Sequence, residues 1–88
     1  MVNPYQDVKI KGGFVRTFDE NVREDTLIWH RDKRDRKIEV LECDGWKFQR
    51  DNTLPVELKE NKTYEVNAME YHRLIKGNGK LKLRIKEL

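Results

Sequence analysis

The sequence predicts one small all-β domain of the barrel or sandwich type. Short segments rich in β-branched and aromatic residues recur along the chain, and turn-forming Gly, Asn, Asp and Pro residues separate them. No segment keeps the i, i+3, i+4, i+7 apolar spacing of an amphipathic helix over three turns. With 88 residues, of which 36% are hydrophobic, the chain can form only one thin core. Strands that each bury one face suit such a core.

The first half of the chain contains four predicted strands, at 8–10, 14–16, 26–30 and 38–42. We expect residues 1–7 to form an N-terminal arm and the polar, acidic residues 17–25 to form a loop. The third strand is rich in β-branched and aromatic residues, which fit a pleated surface. A wholly charged connection over 31–37 follows it.

The second half contains five predicted strands, at 46–50, 54–58, 63–66, 71–76 and 80–86. Asp44-Gly45 is a tight-turn pair, so the sequence predicts a hairpin between 38–42 and 46–50. Pro55 cannot donate a ladder hydrogen bond, which places its strand at a sheet edge. The last strand alternates most clearly, with an apolar face and a basic row: Leu81, Leu83 and Ile85 against Lys80, Lys82, Arg84 and Lys86.

Composition narrows the class of partner. The chain has 19 basic and 16 acidic residues, and this mixed surface argues against nucleic acid as the main partner. Cys43 is the single cysteine, which excludes an intramolecular disulfide and is typical of a reducing cytoplasm. Neither a signal peptide nor a long apolar run is evident, so we expect a cytoplasmic protein without a membrane partner. A core this thin would also gain from a homodimer.

Two histidines and one aspartate are the candidates for chemistry. In a strand that stays extended through Asp32, the side chains of Ile28, His30 and Asp32 share one face, so an imidazole and a carboxylate lie side by side. His72 follows in another predicted strand, aligned with Leu74. If the three converge at a barrel mouth, they form the facial triad that suits Fe(II) and leaves positions open for substrate. The other interpretation of the His-x-Asp pair is a hydrogen-bonded structural contact.

Two segments resemble the two motifs of the cupin family. Residues 29–43 are similar to G-x5-H-x-H-x3/4-E-x6-G, and residues 61–74 to G-x5-P-x-G-x2-H-x3-N. More narrowly, WHRDKRDRKIEVLE, GWKFQRDNTLP and YHRLIKGNGKLKLRI are similar to small cupin-domain proteins of tailed phages, most of them without an assigned activity. The resemblance covers about residues 26–86. It implies a single-domain cupin, a jelly-roll barrel also described as a double-stranded β-helix.

Carried over residue by residue, the resemblance implies one divalent metal ion (Fe, Mn, Ni or Zn) held by His30, Asp32 and His72. Arg36 takes the place of the ligand glutamate, and a guanidinium cannot bind a metal. It can instead hold a phosphate or carboxylate, the alternative being an ion pair with Asp32 or Asp35. Three turn positions also differ from the expected Gly, Pro and Gly: Asn61, Asn67 and Met69.

Gln49 and Tyr71 are further candidates for ligand binding beside the metal. The amide of Gln49 would orient a polar ligand if its face of the strand is the inner one. The alternative is that Trp46 and Phe48, on the opposite face, point inward as core. Tyr71 would line the rim of the pocket or pack beneath it. Cys43 has no base beside it in sequence, which argues against a nucleophilic role.

The resemblance implies a polar small-molecule ligand, a sugar or a nucleotide, bound in the barrel mouth. Cupin-like barrels include oxygenases, isomerases and epimerases as well as pure binders, and this sequence does not choose among them. The alternative function is a metal-free interaction protein that binds nucleic acid or protein through the basic row. In that case Trp29 or Trp46 would stack with bases.

Overall fold

The structure is a computed structural model that describes residues 4–88. Its regular elements are strands and one short 3-10 helix, Glu24–Thr26. The described chain contains eight strands: β1 (Tyr5–Ile10), β2 (Gly13–Phe18), β3 (Arg36–Glu42), β4 (Lys47–Arg50), β5 (Val56–Glu57), β6 (Thr63–Val66), β7 (His72–Ile75) and β8 (Leu81–Glu87). The predicted all-β class is therefore confirmed.

The strands form two antiparallel sheets. The larger sheet has the order β1-β2-β8-β3-β6, and the smaller sheet has the order β5-β4-β7. Every strand pair within them is antiparallel. β5 begins directly after Pro55 and lies at the edge of the smaller sheet. That position agrees with the prediction, because an edge strand tolerates a proline that lacks the backbone N–H.

One core lies between the inner faces of the two sheets. β8 runs through the middle of the larger sheet, and its Leu81, Leu83 and Ile85 are all buried. Phe48 of the smaller sheet belongs to the same cluster. Trp46, just before β4, is completely buried, and its indole Nε1 donates a hydrogen bond to the carbonyl oxygen of Gly79 at 2.8 Å. The alternation predicted for the last strand is thus confirmed.

The hairpin predicted at Asp44-Gly45 is wrong. β3 pairs with β8 and β6, whereas β4 pairs with β5 and β7, so the turn carries the chain from one sheet to the other. Gly45 has φ 77°, a conformation that favours glycine. The turn packs against residues 77–79, and the N–H of Asn78 donates to the carbonyl oxygen of Asp44 at 2.8 Å. A tight-turn pair predicts a reversal of the chain, but it does not determine which strands then pair.

Gly77→Ala is expected to destabilise the fold by about 1–3 kcal/mol, because overpacking a close backbone contact forces the chain to shift. A Cβ on Gly77 would overlap the backbone of residues 44–46. Gly79→Ala is the matched control, since its Cβ would meet the Cβ of Asp44 at an ordinary 3.4 Å. Urea unfolding of both variants measures the difference. Equal stability of the two would contradict the packing described for this turn.

Two predicted elements at the start of the chain are wrong. The strand predicted at 26–30 is replaced by the end of the 3-10 helix and an irregular segment, because the N–H of Leu27 donates to the carbonyl oxygen of Glu24 at 3.0 Å. Residues 5–7 of the arm predicted for residues 1–7 instead belong to β1, which begins at Tyr5 and pairs with β2. Residues 1–3 of that arm lie outside the described residues.

Candidate metal centre

The two histidines are neighbours because a short backbone bridge joins the segments that carry them. The N–H of His30 donates to the carbonyl oxygen of His72 at 3.0 Å, and the reverse bond is 2.9 Å. The two ring centroids are 4.4 Å apart. His72 starts β7 in the smaller sheet, whereas His30 makes only this isolated bridge. This single β-bridge therefore brings His30 next to His72, the role that the sequence assigns to a full strand.

Asp32 reaches the same point from the loop that follows His30. The loop is fixed against the turn before β7, since the N–H of Met69 donates to the carbonyl oxygen of Asp32 at 2.7 Å. Asp32 Oδ2 lies 3.3 Å from His72 Nε2, and Asp32 Oδ1 lies 3.9 Å from His30 Nε2. One ligand atom from each of the three residues lies within 4.8 Å of the others. The three residues predicted as ligands are thus brought together.

Backbone carbonyls set the tautomer of both imidazoles. His30 Nδ1 lies 3.0 Å from the carbonyl oxygen of Ile28, and His72 Nδ1 lies 2.8 Å from that of Glu70. A carbonyl oxygen only accepts, so each Nδ1 carries the proton and donates. In a neutral ring this leaves the lone pair on Nε2, the atom that faces Asp32. Metal-ligating histidines are commonly oriented by such a bond from the other ring nitrogen.

The lowered pKa of His72 disfavours a proton between its Nε2 and Asp32. Burial lowers the pKa of His72, and the neighbouring His30 and Arg36 act in the same direction against the carbonyl of Glu70 and the carboxylate of Asp32. The neutral ring then turns a lone pair toward Asp32 Oδ2, which is buried and has no hydrogen-bond partner in the described chain. A cation between these atoms would satisfy both. The donor set therefore fits a divalent metal ion.

Arg36 stands at the start of β3, beside the three candidate ligands. Its Nη1 lies 3.4 Å from Asp32 Oδ1 and its Nη2 lies 3.5 Å from Glu87 Oε2. The ion pair with Asp32 that the sequence left open is present. Asp35, the other partner considered, instead accepts a hydrogen bond from the N–H of Ala68 at 2.6 Å. Because a guanidinium cannot bind a metal, residues 4–88 offer three ligands at this point.

The candidate ligands and Arg36 face a cavity of about 330 Å³ between the two sheets. Most of its wall is apolar, formed by side chains such as Phe18, Ile38, Phe48, Leu58 and Leu74. Ligand pockets in proteins commonly span about 300–1,000 Å³, so this one is small. The arrangement combines a polar, charged end with a hydrocarbon lining.

Gln49 and Tyr71 do not line this cavity. Phe48 takes the inward position of β4, so the next residue faces outward, where the amide of Gln49 accepts from Arg73 Nε at 2.8 Å. Tyr71 precedes the inward His72, is 41% exposed, and stacks against Arg31 at 4.6 Å. The alternation of side chains along a strand therefore argues against a role for Gln49 or Tyr71 in binding a ligand inside the cavity.

Sequence reasoning missed Arg16 as a residue of the cavity wall. β2 was recognised as a strand, but nothing in its pattern marked Arg16 as inward-facing. Its guanidinium lies 3.6 Å from the ring centroid of Tyr5 and donates twice to Asp7, from Nε at 2.9 Å and Nη2 at 3.0 Å. Its place opposite Leu83, a buried core residue of β8, was the available signal, but the strand pairing had to be known first.

Two turn positions support the alignment with the second motif. Asn61 and Met69, which stand where the motif has glycine, both have φ 65°. Such left-handed backbone favours glycine and is uncommon for other residues. The backbone thus keeps the conformation that the motif requires, although the side chains differ.

The other residues considered for function lie away from the cavity. The basic row is on the outer face of the larger sheet, where Arg84 Nη1 bonds Glu39 Oε1 at 2.9 Å. Trp46 is completely buried and cannot stack with a base, whereas Trp29 is 40% exposed and lies against Arg73. Burial raises the pKa of Cys43, with three nearby carboxylates adding to the effect, which disfavours the nucleophilic thiolate.

No helix among residues 4–88 has the length and apolar character that crossing a bilayer requires. No protein-family model matches the chain, and no curated protein matches it significantly. The resemblance to tailed-phage proteins stays a prediction.

Solved structures do match. A protein from Neisseria meningitidis superposes with a TM-score of 0.66 at 15% identity, over 96% of this chain and 82% of its own. A cupin-2 domain protein from Shewanella frigidimarina gives 0.64 at 13% identity, over 92% and 76%. A cupin domain from Bordetella pertussis gives 0.62 at 12% identity, over 100% and 98%. At these identities the likeness concerns the fold, so the chain has the fold of cupin domains, a small antiparallel β-barrel.

Proposed function

We propose that this protein binds one divalent metal ion through His30, Asp32 and His72 and holds a small molecule beside it in the cavity. The observation that carries the proposal is the meeting of His72 Nε2 and Asp32 Oδ2 at 3.3 Å, with Oδ2 buried and without a hydrogen-bond donor among residues 4–88. A structural His–Asp contact would place a proton between these atoms. The carbonyl oxygen of Glu70 favours the proton on Nδ1 instead, and burial lowers the pKa of His72, which favours a ring with one proton.

The ligand set favours Fe, Mn, Ni or Zn over Mg or Ca, because imidazole nitrogens suit transition metals. Three protein ligands leave coordination positions open, so a bound ion would supply Lewis acidity toward an oxygen of the small molecule. The His30 side chain is 45% exposed, whereas those of Asp32 and His72 are 12% and 6% exposed. The histidine on the outer side thus leaves a path for the ion.

Metal content of the purified protein tests the proposal. After separate loading with Fe(II), Mn(II), Ni(II) and Zn(II) and gel filtration, we expect about one ion per chain for at least one metal. His72→Ala is expected to lower that content while the barrel stays folded, as far-ultraviolet circular dichroism would show. Glu39→Ala, which removes a carboxylate on the outer face, is the control. Absence of bound metal under all four conditions would overturn the proposal.

The homodimer expected from the thin core and the cytoplasmic location stay predictions. That nucleic acid is an unlikely partner also stays a prediction. The ion pair of Arg84 with Glu39 supports it, because the pair partly neutralises the basic row.

A further inference from the structure

We propose that the cavity takes a small carboxylic acid with an apolar body, and that Arg36 binds its carboxylate. This inference rests on the proposed function, since it names the class of molecule held beside the metal. It differs from the sugar or nucleotide that the family resemblance implies. Three features support it: the donor left on Arg36, the charge of the centre and the lining of the cavity.

Arg36 has hydrogen-bonding capacity that its protein partners do not use. Its Nε is buried and has no hydrogen-bond partner within residues 4–88. Its terminal nitrogens lie 3.4 and 3.5 Å from carboxylate oxygens. Charge-assisted hydrogen bonds are shorter, at about 2.7–2.9 Å. Arg16, the other arginine of the wall, is committed to Asp7 by two bonds of 2.9 and 3.0 Å. Of the two, Arg36 is therefore the one able to receive an anion.

The charge of the centre also favours an anion. The negative charge of Asp32 and the positive charge of Arg36 offset one another, and histidines bind a metal as neutral rings. A divalent ion then leaves this end of the cavity positive. Glu87 is the next carboxylate, and its side chain is 39% exposed at the edge of the group. Exposure lets water screen that charge, so it opposes an anion only weakly.

The lining decides what the rest of the ligand is. Beyond the charged end, the wall consists mainly of aliphatic and aromatic side chains. The hydroxyl of Tyr64 already accepts a hydrogen bond from the N–H of Lys59 at 3.2 Å. A sugar would bury hydroxyl groups with few partners, which carries a large desolvation cost. A volume of about 330 Å³ is also small for a nucleotide. A carboxylate that carries a hydrocarbon body therefore matches both the charged end and the apolar lining of the cavity.

Isothermal titration calorimetry of the metal-loaded protein tests the inference. The four ligands are 4-methylpentanoate, benzoate, inorganic phosphate and glucose 6-phosphate. We expect the two carboxylates to bind at least about tenfold more tightly than the two phosphates, the difference that an apolar body in an apolar pocket provides. Tighter binding of glucose 6-phosphate, or no binding of either carboxylate, would overturn it.

Variants of Arg36 and of its partner Glu87 test whether Arg36 is the residue that binds the carboxylate of the ligand. Arg36→Gln is expected to weaken 4-methylpentanoate binding roughly tenfold or more, since it removes a charge-assisted bond. Arg84→Gln is the matched control, an arginine paired with a carboxylate on the outer face. Glu87→Gln should tighten binding, because it releases Arg36 from a competing partner. If Arg36→Gln fails to fold, Glu87→Gln decides, and unchanged binding in it would contradict the role of Arg36.

Metal content measured on the same samples separates this inference from the proposed function. Full metal content without carboxylate binding overturns the carboxylate alone. Arg36-dependent carboxylate binding to a protein that takes up no metal supports the carboxylate and overturns the metal centre. Absence of both overturns both.

Discussion

Replacing Asp32 with Asn is expected to abolish metal binding while leaving the metal-free protein at least as stable as the wild type. An amide cannot supply the negative charge that makes Asp32 a ligand for a transition-metal ion. The remaining ligands would be two imidazoles, one of which is 45% exposed. We expect metal affinity to fall by more than about a hundredfold, the upper range that even altered outer contacts of a metal site produce.

The effect on stability should have the opposite sign. His72 Nε2 and Asp32 Oδ2 face each other at 3.3 Å, and Oδ2 has no hydrogen-bond donor within the described residues. An Asn side chain can turn its NH₂ toward His72 and keep its oxygen toward Arg36 Nη1. Satisfying a buried acceptor in this way contributes about 0.5–1.5 kcal/mol. That gain offsets the weakened ion pair with Arg36, which is long at 3.4 Å.

Acid should reverse the order of stability. Burial lowers the pKa of His72 below its usual 6.5, so the folded protein favours the neutral ring. A group of this kind contributes stability that is fully present above the unfolded pKa and is lost as pH falls through the folded pKa. The carboxylate of Asp32 opposes the shift, so removing it lowers the pKa of His72 further. The Asn variant should therefore lose stability relative to the wild type as pH falls below 6.5.

Urea unfolding of chelator-treated protein between about pH 7.5 and about pH 5.5 measures both effects. Asp25→Asn is the control, an exposed aspartate paired with Arg23 outside the cavity. Retained metal binding in the Asp32 variant would show that this carboxylate is not a ligand. A marked loss of stability at pH 7.5 would show that Asp32 and His72 form a proton-sharing structural pair.

The fold was predictable where the alternation of side chains reports burial directly. In β8 each apolar residue is buried and each basic residue faces outward, so two-residue periodicity gave the right strand and the right face. The segment 26–30 has strand-like residues, but local hydrogen bonds of the 3-10 helix take the backbone N–H groups of Thr26 and Leu27. The β-propensity of a residue reflects how its side chain fits a pleated surface. It does not predict which backbone hydrogen-bond partners lie within reach.

The site was predictable in its ligands and not in its surroundings. His30 and Asp32 lie next to His72 although no strand runs through 28–32. The motif spacing predicts which residues converge, and it does not predict the backbone path that brings them together. Gln49 could not be placed, since the face that points inward depends on the pairing of β4 with β7. The sequence marks Arg36 as a departure from the motif, but only the three-dimensional packing shows that its Nε is buried without a hydrogen-bond partner in the described part of the chain.

Trp46→Ala is expected to lower the free energy of unfolding by about 3–5 kcal/mol, the usual cost of truncating a buried aromatic side chain. A domain of this size has a total stability of about 5–15 kcal/mol. Trp46 is completely buried and packs against Phe18, with ring centroids 5.5 Å apart. Trp29→Ala is the matched control, since Trp29 is 40% exposed and a substitution there should stay within about 1 kcal/mol.

Trp46→Phe separates the packing of this residue from its hydrogen bond. Phenylalanine keeps an aromatic ring but leaves the carbonyl oxygen of Gly79 without the indole donor that now lies at 2.8 Å. Losing the partner of a fully buried acceptor costs about 1–3 kcal/mol, and this carbonyl is only partly buried, so the variant should fold with a urea midpoint between those of the wild type and Trp46→Ala. Trp46 does not line the cavity, whereas Phe48, two residues on, stacks near His72 at 5.6 Å. Metal content should therefore match the wild type in Trp46→Phe, and a loss of metal would mean that the inter-sheet turn positions the ligands.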